Sequence, residues 1–190
     1  MFKLYRLKNY NFRLIIWLLM ISGIGVLLVG SAKASLQSRQ LIGVILGLVV
    51  MVAVSLMDYS WLLNFYWIIY VFNIVMLLIV RFFGDSAGGA TRWLDLGFVR
   101  FQPTELSKIL LIMFFARFLM DHDDTLNTWK TILASVALLA VPLVLIKIQP
   151  DLKNTITVTV VFCLLMYVAG LSYKIIGVVL GIAIPLVIAA

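Results

Sequence analysis

Seven stretches of apolar residues separated by short polar breaks, 14–32, 41–57, 61–80, 106–120, 132–148, 156–171 and 175–190, constrain this chain more than any other feature. A helix that crosses a hydrocarbon core needs about 20 mainly apolar residues, with about 17 as a working minimum. The first three stretches and the fifth meet that length directly, and the fourth and sixth reach it with their polar flanks. Hydrophobic residues make up 64% of the 190, and mean hydropathy is +1.15. A water-soluble domain of this size would be forced to expose apolar surface at such values. A transmembrane barrel would show alternating segments of about 10 residues, whereas LIGVILGLVVMVAVSLM does not alternate. The expected fold is therefore all-α, a polytopic transmembrane helical bundle of seven spans, with backbone groups bonded within each helix.

The two ends of the chain need separate treatment. The seventh stretch holds 16 residues after Lys174, which is about 24 Å of helix at roughly 1.5 Å per residue. That is short of a hydrocarbon core of about 30 Å and would bring a terminal carboxylate close to lipid. The expectation is that residues 1–190 are the N-terminal part of one larger integral membrane domain, truncated at the C-terminus. The start, MFKLYRLKNYNFR followed by an apolar run and Ala32-Lys33-Ala34, imitates a secretory signal. Its apolar run exceeds the ~7–15 residues of a signal core and is read as a retained first span. The single cysteine, Cys163, excludes an internal disulfide and a thiolate cluster and is read as a buried apolar residue.

Lys3, Arg6, Lys8 and Arg13 precede the first span, and only Lys33 and Arg39 follow it. The positive-inside rule then places the N-terminus in the cytoplasm. Alternation puts 58–60, 121–130 and 172–174 inside, and 81–105 and 149–154 outside. Lys and Arg are then almost evenly shared between the two faces, because Arg81, Arg92, Arg100, Lys108, Lys147 and Lys153 all fall outside. Attraction to anionic membrane lipids would favour the cytoplasmic face. The net charge of +7 is thus assigned to membrane lipid and to an anionic outer ligand, with no nucleic acid partner.

The densest special stretch is Gly88 to Lys108, GGATRWLDLGFVRFQPTELSK. In Arg92-Trp93, a guanidinium that can grip a phosphate in a fork adjoins an indole suited to the membrane interface. An interfacial Trp with an Arg snorkelling to headgroups is the plainer reading. Gln102-Pro103-Thr104-Glu105 reads as a helix start, with Pro at the first position and Glu near the positive end of the dipole. Glu105 and Lys108, three apart, share a helix face and can pair, which eases charge toward the bilayer. A second outer turn, Gln149-Pro150-Asp151-Leu152-Lys153-Asn154, repeats the Gln-Pro pattern. Two such turns opening downward helices would set Glu105 and Asp151 at similar depth around one outward-facing cavity, with a pair of coincidental helix caps as the alternative. His122 among Asp121, Asp123 and Asp124 is read as a solvated turn, since adjacent residues on a short loop rarely converge on one ion. No cofactor or metal ligand set is evident, and a divalent cation requirement is left open. Pro142 and Pro185 are expected to kink their spans, and Trp61, Tyr66, Trp129 and Tyr173 to act as interfacial anchors.

Gly89-Ala90-x-Arg92-Trp93-Leu94-x-Leu96-Gly97, then Phe101-Gln102-Pro103-Thr104-Glu105-Leu106-x-Lys108, and Gln149-Pro150-Asp151-Leu152 together resemble the FtsW/RodA/SpoVE family, the SEDS proteins of bacterial elongation, division and sporulation. Gly30-Ser31-Ala32 and Val168-Ala169-Gly170-Leu171 extend the resemblance over nearly the whole chain. It implies a ten-span protein of the bacterial cytoplasmic membrane that polymerises peptidoglycan glycan from lipid II beside a class B penicillin-binding protein. Trp93 and Glu105 would be functionally important, with Arg92, Gln102, Lys108, Gln149 and Asp151 lining or shaping the outer cavity. The family's catalytic Asp would lie in an external loop beyond Ala190, so no catalytic residue is expected in this chain and residues 1–190 alone are expected to be inactive. Thr104 stands where the family usually has Ser, and Lys153-Asn154 replaces the common Gly-Thr, removing a permissive backbone position.

Three functions are compatible with these residues: a peptidoglycan glycosyltransferase, a lipid II flippase built from charged groups and kinked helices, and a non-catalytic scaffold for a penicillin-binding protein.

Overall fold

The computed structural model describes residues 11–87, 90–95 and 100–173, with 175, 177 and 181. The N-terminal cations Lys3, Arg6 and Lys8, the Gly88-Gly89 pair, Leu96-Gly97, Lys174 and Pro185 lie outside the described residues, as does most of the seventh apolar stretch. The chain divides into two compact units, 1–61 with 96–100, and 62–95 with 101–190.

The first unit contains α1 (Phe12–Ala32) and α2 (Ala34–Ser55), packed on each other. Asn11 caps α1 by accepting from the Leu14 N–H. A single extended residue, Lys33, separates the two helices, so the second span opens at Ala34 and Arg39 lies inside a helix. The expected polar loop between 33 and 40 is replaced by this one-residue break. The Gln37 carboxamide, the end of a flexible side chain on α2, lies over Gly30 of α1.

The third apolar stretch is not one helix. A short α3 (Tyr59–Leu63) ends at a turn over Asn64 and Phe65, and α4 (Tyr66–Phe83) follows. In the second unit, α4 is joined by α5 (Pro103–Asp121), α6 (Trp129–Ile148) and α7 (Leu152–Val168). The fourth stretch reaches 19 residues in α5 by adding Pro103 to Glu105 and Asp121, and the sixth becomes the 17 residues of α7 by adding Leu152 to Thr155 and ending at Val168. Among the described residues α1, α2, α4 and α6 are long and apolar enough to cross a membrane, and α7 is a shorter apolar helix.

Hydrocarbon supplies no hydrophobic drive between helices, so packing rests on close contact and polar links. The contact here is largely aromatic. Tyr70 and Phe114 lie 4.5 Å apart, Phe114 and Phe115 5.0 Å, and Phe115 and Phe162 4.8 Å, joining α4, α5 and α7. Such pairs contribute about 0.5–1.5 kcal/mol beyond the area they bury. Pro142 lies within α6 and lacks the N–H that would bond the Leu138 carbonyl one turn back. The Tyr70 hydroxyl supplies that hydrogen bond from α4, at 2.8 Å. A sequence feature expected to bend one helix thus also ties two together.

Between α4 and α5 the outer connection carries a small sheet that the sequence reading did not anticipate: β1 (Asp85–Ala87), β2 (Ala90–Asp95) and β3 (Arg100–Phe101), ordered β1-β2-β3. β1 and β2 are antiparallel, with Asp85 opposite Trp93 and Ala87 opposite Ala90. The Gly-Gly pair between two short strands is the sequence signal for such a hairpin.

Candidate functional site

Every expected site residue lies in the second unit, in β2, at the start of α5, at the end of α6 or before α7. Pro103 occupies the first turn of α5, and Glu105 sits in that turn, as its sequence predicts. Gln102 precedes the helix with an extended backbone, yet its side chain does not cap it. The carboxamide reaches across to α7 and donates from Nε2 to Asp151 Oδ2 at 3.0 Å.

Asp151 has a second duty. It is 2% exposed and caps α7, with Oδ1 accepting from the Asn154 N–H at 3.2 Å. Asn154 Nδ2 donates to Oδ2 at 2.7 Å. A buried carboxylate is tolerable only when donors surround it, and here two side-chain amides and one backbone amide do so. The two Gln-Pro turns are therefore not equivalent. In the first, Gln102 precedes the helix and Pro103 opens it. In the second, Gln149 ends α6 and Asp151 opens α7, because Asp is the better cap. Lys153 and Asn154 stand inside the first turn of α7 with helical backbone, so the Gly that the family pattern has there is not required for the chain to turn.

Gln149 is 1% exposed and donates from Nε2 to the Leu77 carbonyl at 3.1 Å, fastening α6 to α4. Its role is internal, and it does not line an open outer cavity. Glu105 is half-exposed and pairs with Lys108 at 2.7 Å, with Lys153 of α7 4.0 Å from its other oxygen. Glu105 is thus a carboxylate between two ammonium groups on neighbouring helices. Arg92 and Trp93 are half-buried on β2, which packs on α4 and α5. Arg92 Nε is buried without a hydrogen-bond partner among the described residues.

The site residues thus fall into two groups on α5 and α7. Gln102 and Asp151 form an internal clasp, while Glu105, Lys108 and Lys153 form a charged outer group. Glu105 and Asp151 are related through their neighbours, Lys153 of α7 lying near Glu105 and Gln102 bonding Asp151. Sequence reasoning passed over Asn154, noted only as a departure from pattern, although an Asn three residues after a capping Asp is well placed to return a side-chain bond. It also passed over Asn73 and Ser107 and noted Thr104 only as a mild departure from pattern; all three are fully buried on α4 and α5.

Below Lys108 a shallow depression with about 10 Å³ of free space lies between α5, α6 and α7, against Leu111, Phe115, Leu139, Val158, Phe162 and Leu165. The surface around it is apolar, and Lys108 is the charged group at its edge. On the opposite side His122 ends α5, donating from Nδ1 to the Phe118 carbonyl at 2.8 Å and stacking on its ring at 4.4 Å. Asp123 and Asp124 beside it are exposed. Among the described residues no group of His, Cys, Asp and Glu is arranged to hold a metal ion.

A family model described as a cell cycle protein, FtsW/RodA/SpoVE, matches residues 9–190. The peptidoglycan glycosyltransferase MrdB of Escherichia coli strain K12 is 34% identical over 143 residues, which are 75% of this chain and 38% of that protein. The crystal structure of the Thermus thermophilus rod shape determining protein RodA superposes with a TM-score of 0.79 at 26% identity, covering 94% of this chain and 60% of that one. A chain from a peptidoglycan synthase complex, described for its coordination of polymerization and crosslinking, superposes at 0.81 and 26% identity, covering 96% and 54%. In each case the chain spans less than two thirds of the relative's own length.

Proposed function

The chain belongs to the FtsW/RodA/SpoVE family, a multi-pass membrane family, and from that premise we propose that it serves as the lipid-facing part of a peptidoglycan glycosyltransferase that polymerises glycan from lipid II. The observation that carries the reading is the charged group in which Glu105 holds Lys108, with Lys153 beside it, above an apolar helix surface. Lipid II joins a long isoprenoid tail to a diphosphate at the membrane surface, and the helices offer an apolar face and cations in that order.

In the polymerisation step a sugar hydroxyl attacks the anomeric carbon of a lipid-linked donor. A new C–O bond forms, the hydroxyl proton passes to a general base, the bond to the diphosphate oxygen breaks, and negative charge collects on the departing lipid diphosphate. Cations fixed in place before the reaction stabilise that charge without reorganising. In this reading Lys108 and Arg92 meet the diphosphate, Glu105 holds the Lys108 ammonium in position, and Trp93 seats the site at the interface. The leaving group is already a diphosphate, so the reading requires no organic cofactor. The N-terminus lies in the cytoplasm and the Gln-Pro turns face outward. A relative's presence in a peptidoglycan synthase complex supports a class B penicillin-binding protein as partner.

The test is glycan synthesis from lipid II by the whole protein with its partner. Lys108→Met and Trp93→Ala are expected to lower the rate by at least tenfold. Failure of the wild type under conditions that support another family member would sink the proposal, as would full activity of Lys108→Met.

A further inference from the structure

Towards one end of the second unit, six side-chain polar atoms are buried without a partner among the described residues: Asn73 Nδ2 and Oδ1, Thr104 Oγ1, Ser107 Oγ, Gln149 Oε1 and Asn154 Oδ1. Their residues are each 0–1% exposed and come from α4, α5, α7 and the end of α6. A native fold seldom leaves so many such atoms unsatisfied in one region.

Helix geometry sets most of them at one depth. Phe115 of α5 and Phe162 of α7 are in ring contact, and eight residues back along each helix lie Ser107 and Asn154, both about 12 Å higher at ~1.5 Å per residue. Tyr70 of α4 meets Phe114 of α5. Seven residues outward along each lie Leu77 and Ser107, both about 10.5 Å higher by the same rise. The Gln149 carboxamide is fixed at that level by its bond to the Leu77 carbonyl. Asn73 stands one turn deeper than Leu77, a step of about 6 Å. Each residue shares the buried face of its helix, Asn73 with Tyr70 and Leu77, Ser107 with Leu111 and Phe114, and Asn154 with Val158.

We propose that this region is a binding site for ordered water, more than one molecule bridging the Asn73 amide on α4 to Ser107, Asn154 and Gln149. The chemistry of the orphaned atoms selects the ligand. Three are amide oxygens that can only accept, Asn73 Nδ2 can only donate, and the two hydroxyls can do either. A cation would serve the oxygens and leave Asn73 Nδ2 unpaired, whereas an anion would do the reverse. Water both donates and accepts, and at ordinary hydrogen-bond lengths and a near-tetrahedral angle one molecule joins polar atoms about 4.5–5 Å apart. The longer step from Asn73 to the level above therefore calls for more than one. The site is separate from the outer charged group and does not depend on the function proposed for it.

The test uses the full chain in lipid nanodiscs. X-ray radiolysis activates bound water in place, so Leu77 and Leu111, at 0% and 3% exposure, should take up oxygen, and the Asn73→Leu variant should lose most of that label. Thermal unfolding gives an independent sign. If the Asn73 amide is water-bridged, Asn73→Leu lowers the midpoint by about 2–4 °C, the shift that one lost hydrogen bond produces in a chain of this size. If the amide is truly unpaired, the apolar replacement removes a buried liability and the midpoint rises. A raised midpoint, unlabelled Leu77 and Leu111 in the wild type, or a midpoint that follows the identity of the added salt each overturns the proposal. Should Asn73→Leu fail to fold, the wild-type labelling decides alone.

Discussion

Asp151 shows how one carboxyl group can be satisfied beneath the surface of a membrane protein. Its two oxygens take hydrogen bonds from the Asn154 backbone, the Asn154 side chain and Gln102, so the group is nearly invisible to solvent and still satisfied. Gln102→Leu removes the donor that arrives from α5 and leaves the carboxylate short of a partner. The expected loss is about 1–3 kcal/mol of stability, the penalty for a buried acceptor left unmade, read from unfolding midpoints in detergent. Glu105 is the contrasting case, since it is half-exposed and its partner Lys108 sits only one turn away. An ion pair so open to solvent contributes about 0–1 kcal/mol. Glu105→Gln should therefore leave the midpoint almost unchanged while lowering glycan synthesis by at least tenfold, because Lys108 loses the group that fixes it. A fall in both together would make Glu105 a structural residue. The sequence disclosed Glu105-Lys108, because that pair is local and follows from helical spacing. Gln102 and Asp151 were legible as two similar turns, but the bond between them crosses 49 residues, and no local pattern specifies such a partner.

At the scale of the helix, α6 teaches the clearest lesson. Pro142 removes one backbone donor from the ladder, and in hydrocarbon the carbonyl it abandons finds no water to replace it. Tyr70 on α4 completes that carbonyl. Tyr70→Phe is expected to cost about 1 kcal/mol, in the range measured for polar links between membrane helices. In a Pro142→Ala background, where the Leu138 carbonyl regains its own helical partner, the same substitution should cost less than half as much. A double-mutant cycle on unfolding free energies reads the difference, and equal costs in both backgrounds would break the link drawn here between the proline and the tyrosine. Apolar run lengths gave the helices within a few residues because the bilayer dictates them. The departures occur where side chains override composition. α2 begins at Ala34, the chain turning back through the single extended residue Lys33 although 34–40 is polar. The stretch 61–80 breaks at Asn64-Phe65 although both sides remain apolar, and hydropathy does not register a turn between two apolar helices. The β1-β2 hairpin escaped notice for the opposite reason, its strands being too short to establish a period.

Across the whole chain, the arrangement of α5, α6 and α7 converts the charge pattern into a testable orientation. α5 and α7 run in the same direction, since Gln102 meets Asp151 at their starts and Phe115 meets Phe162 further along. α6 must return between them, so the Gln-Pro turns lie at one membrane face and the Asp123–Thr125 turn at the other. The count of basic residues alone is nearly balanced and cannot choose between the faces. The proposed function can, because lipid-linked glycan donors are met at the outer surface and cations held there have a use. The single cysteine makes the experiment clean: Cys163 is buried on the inner side of α7, and a Cys163→Ser background removes even its residual reactivity. Lys153 is 81% exposed and Asp124 is exposed as well, so a cysteine at either place is open to a membrane-impermeant maleimide on its own side. In intact cells Lys153→Cys should be labelled and Asp124→Cys protected until the membrane is permeabilised. The reverse pattern would place the N-terminus outside and turn the basic group to the cytoplasm, removing the basis for reading it as a site for an outer-leaflet lipid diphosphate. Labelling of both from one side would contradict the bundle itself, because 17 residues of α7 at ~1.5 Å each cover about 25 Å, nearly the full hydrocarbon depth.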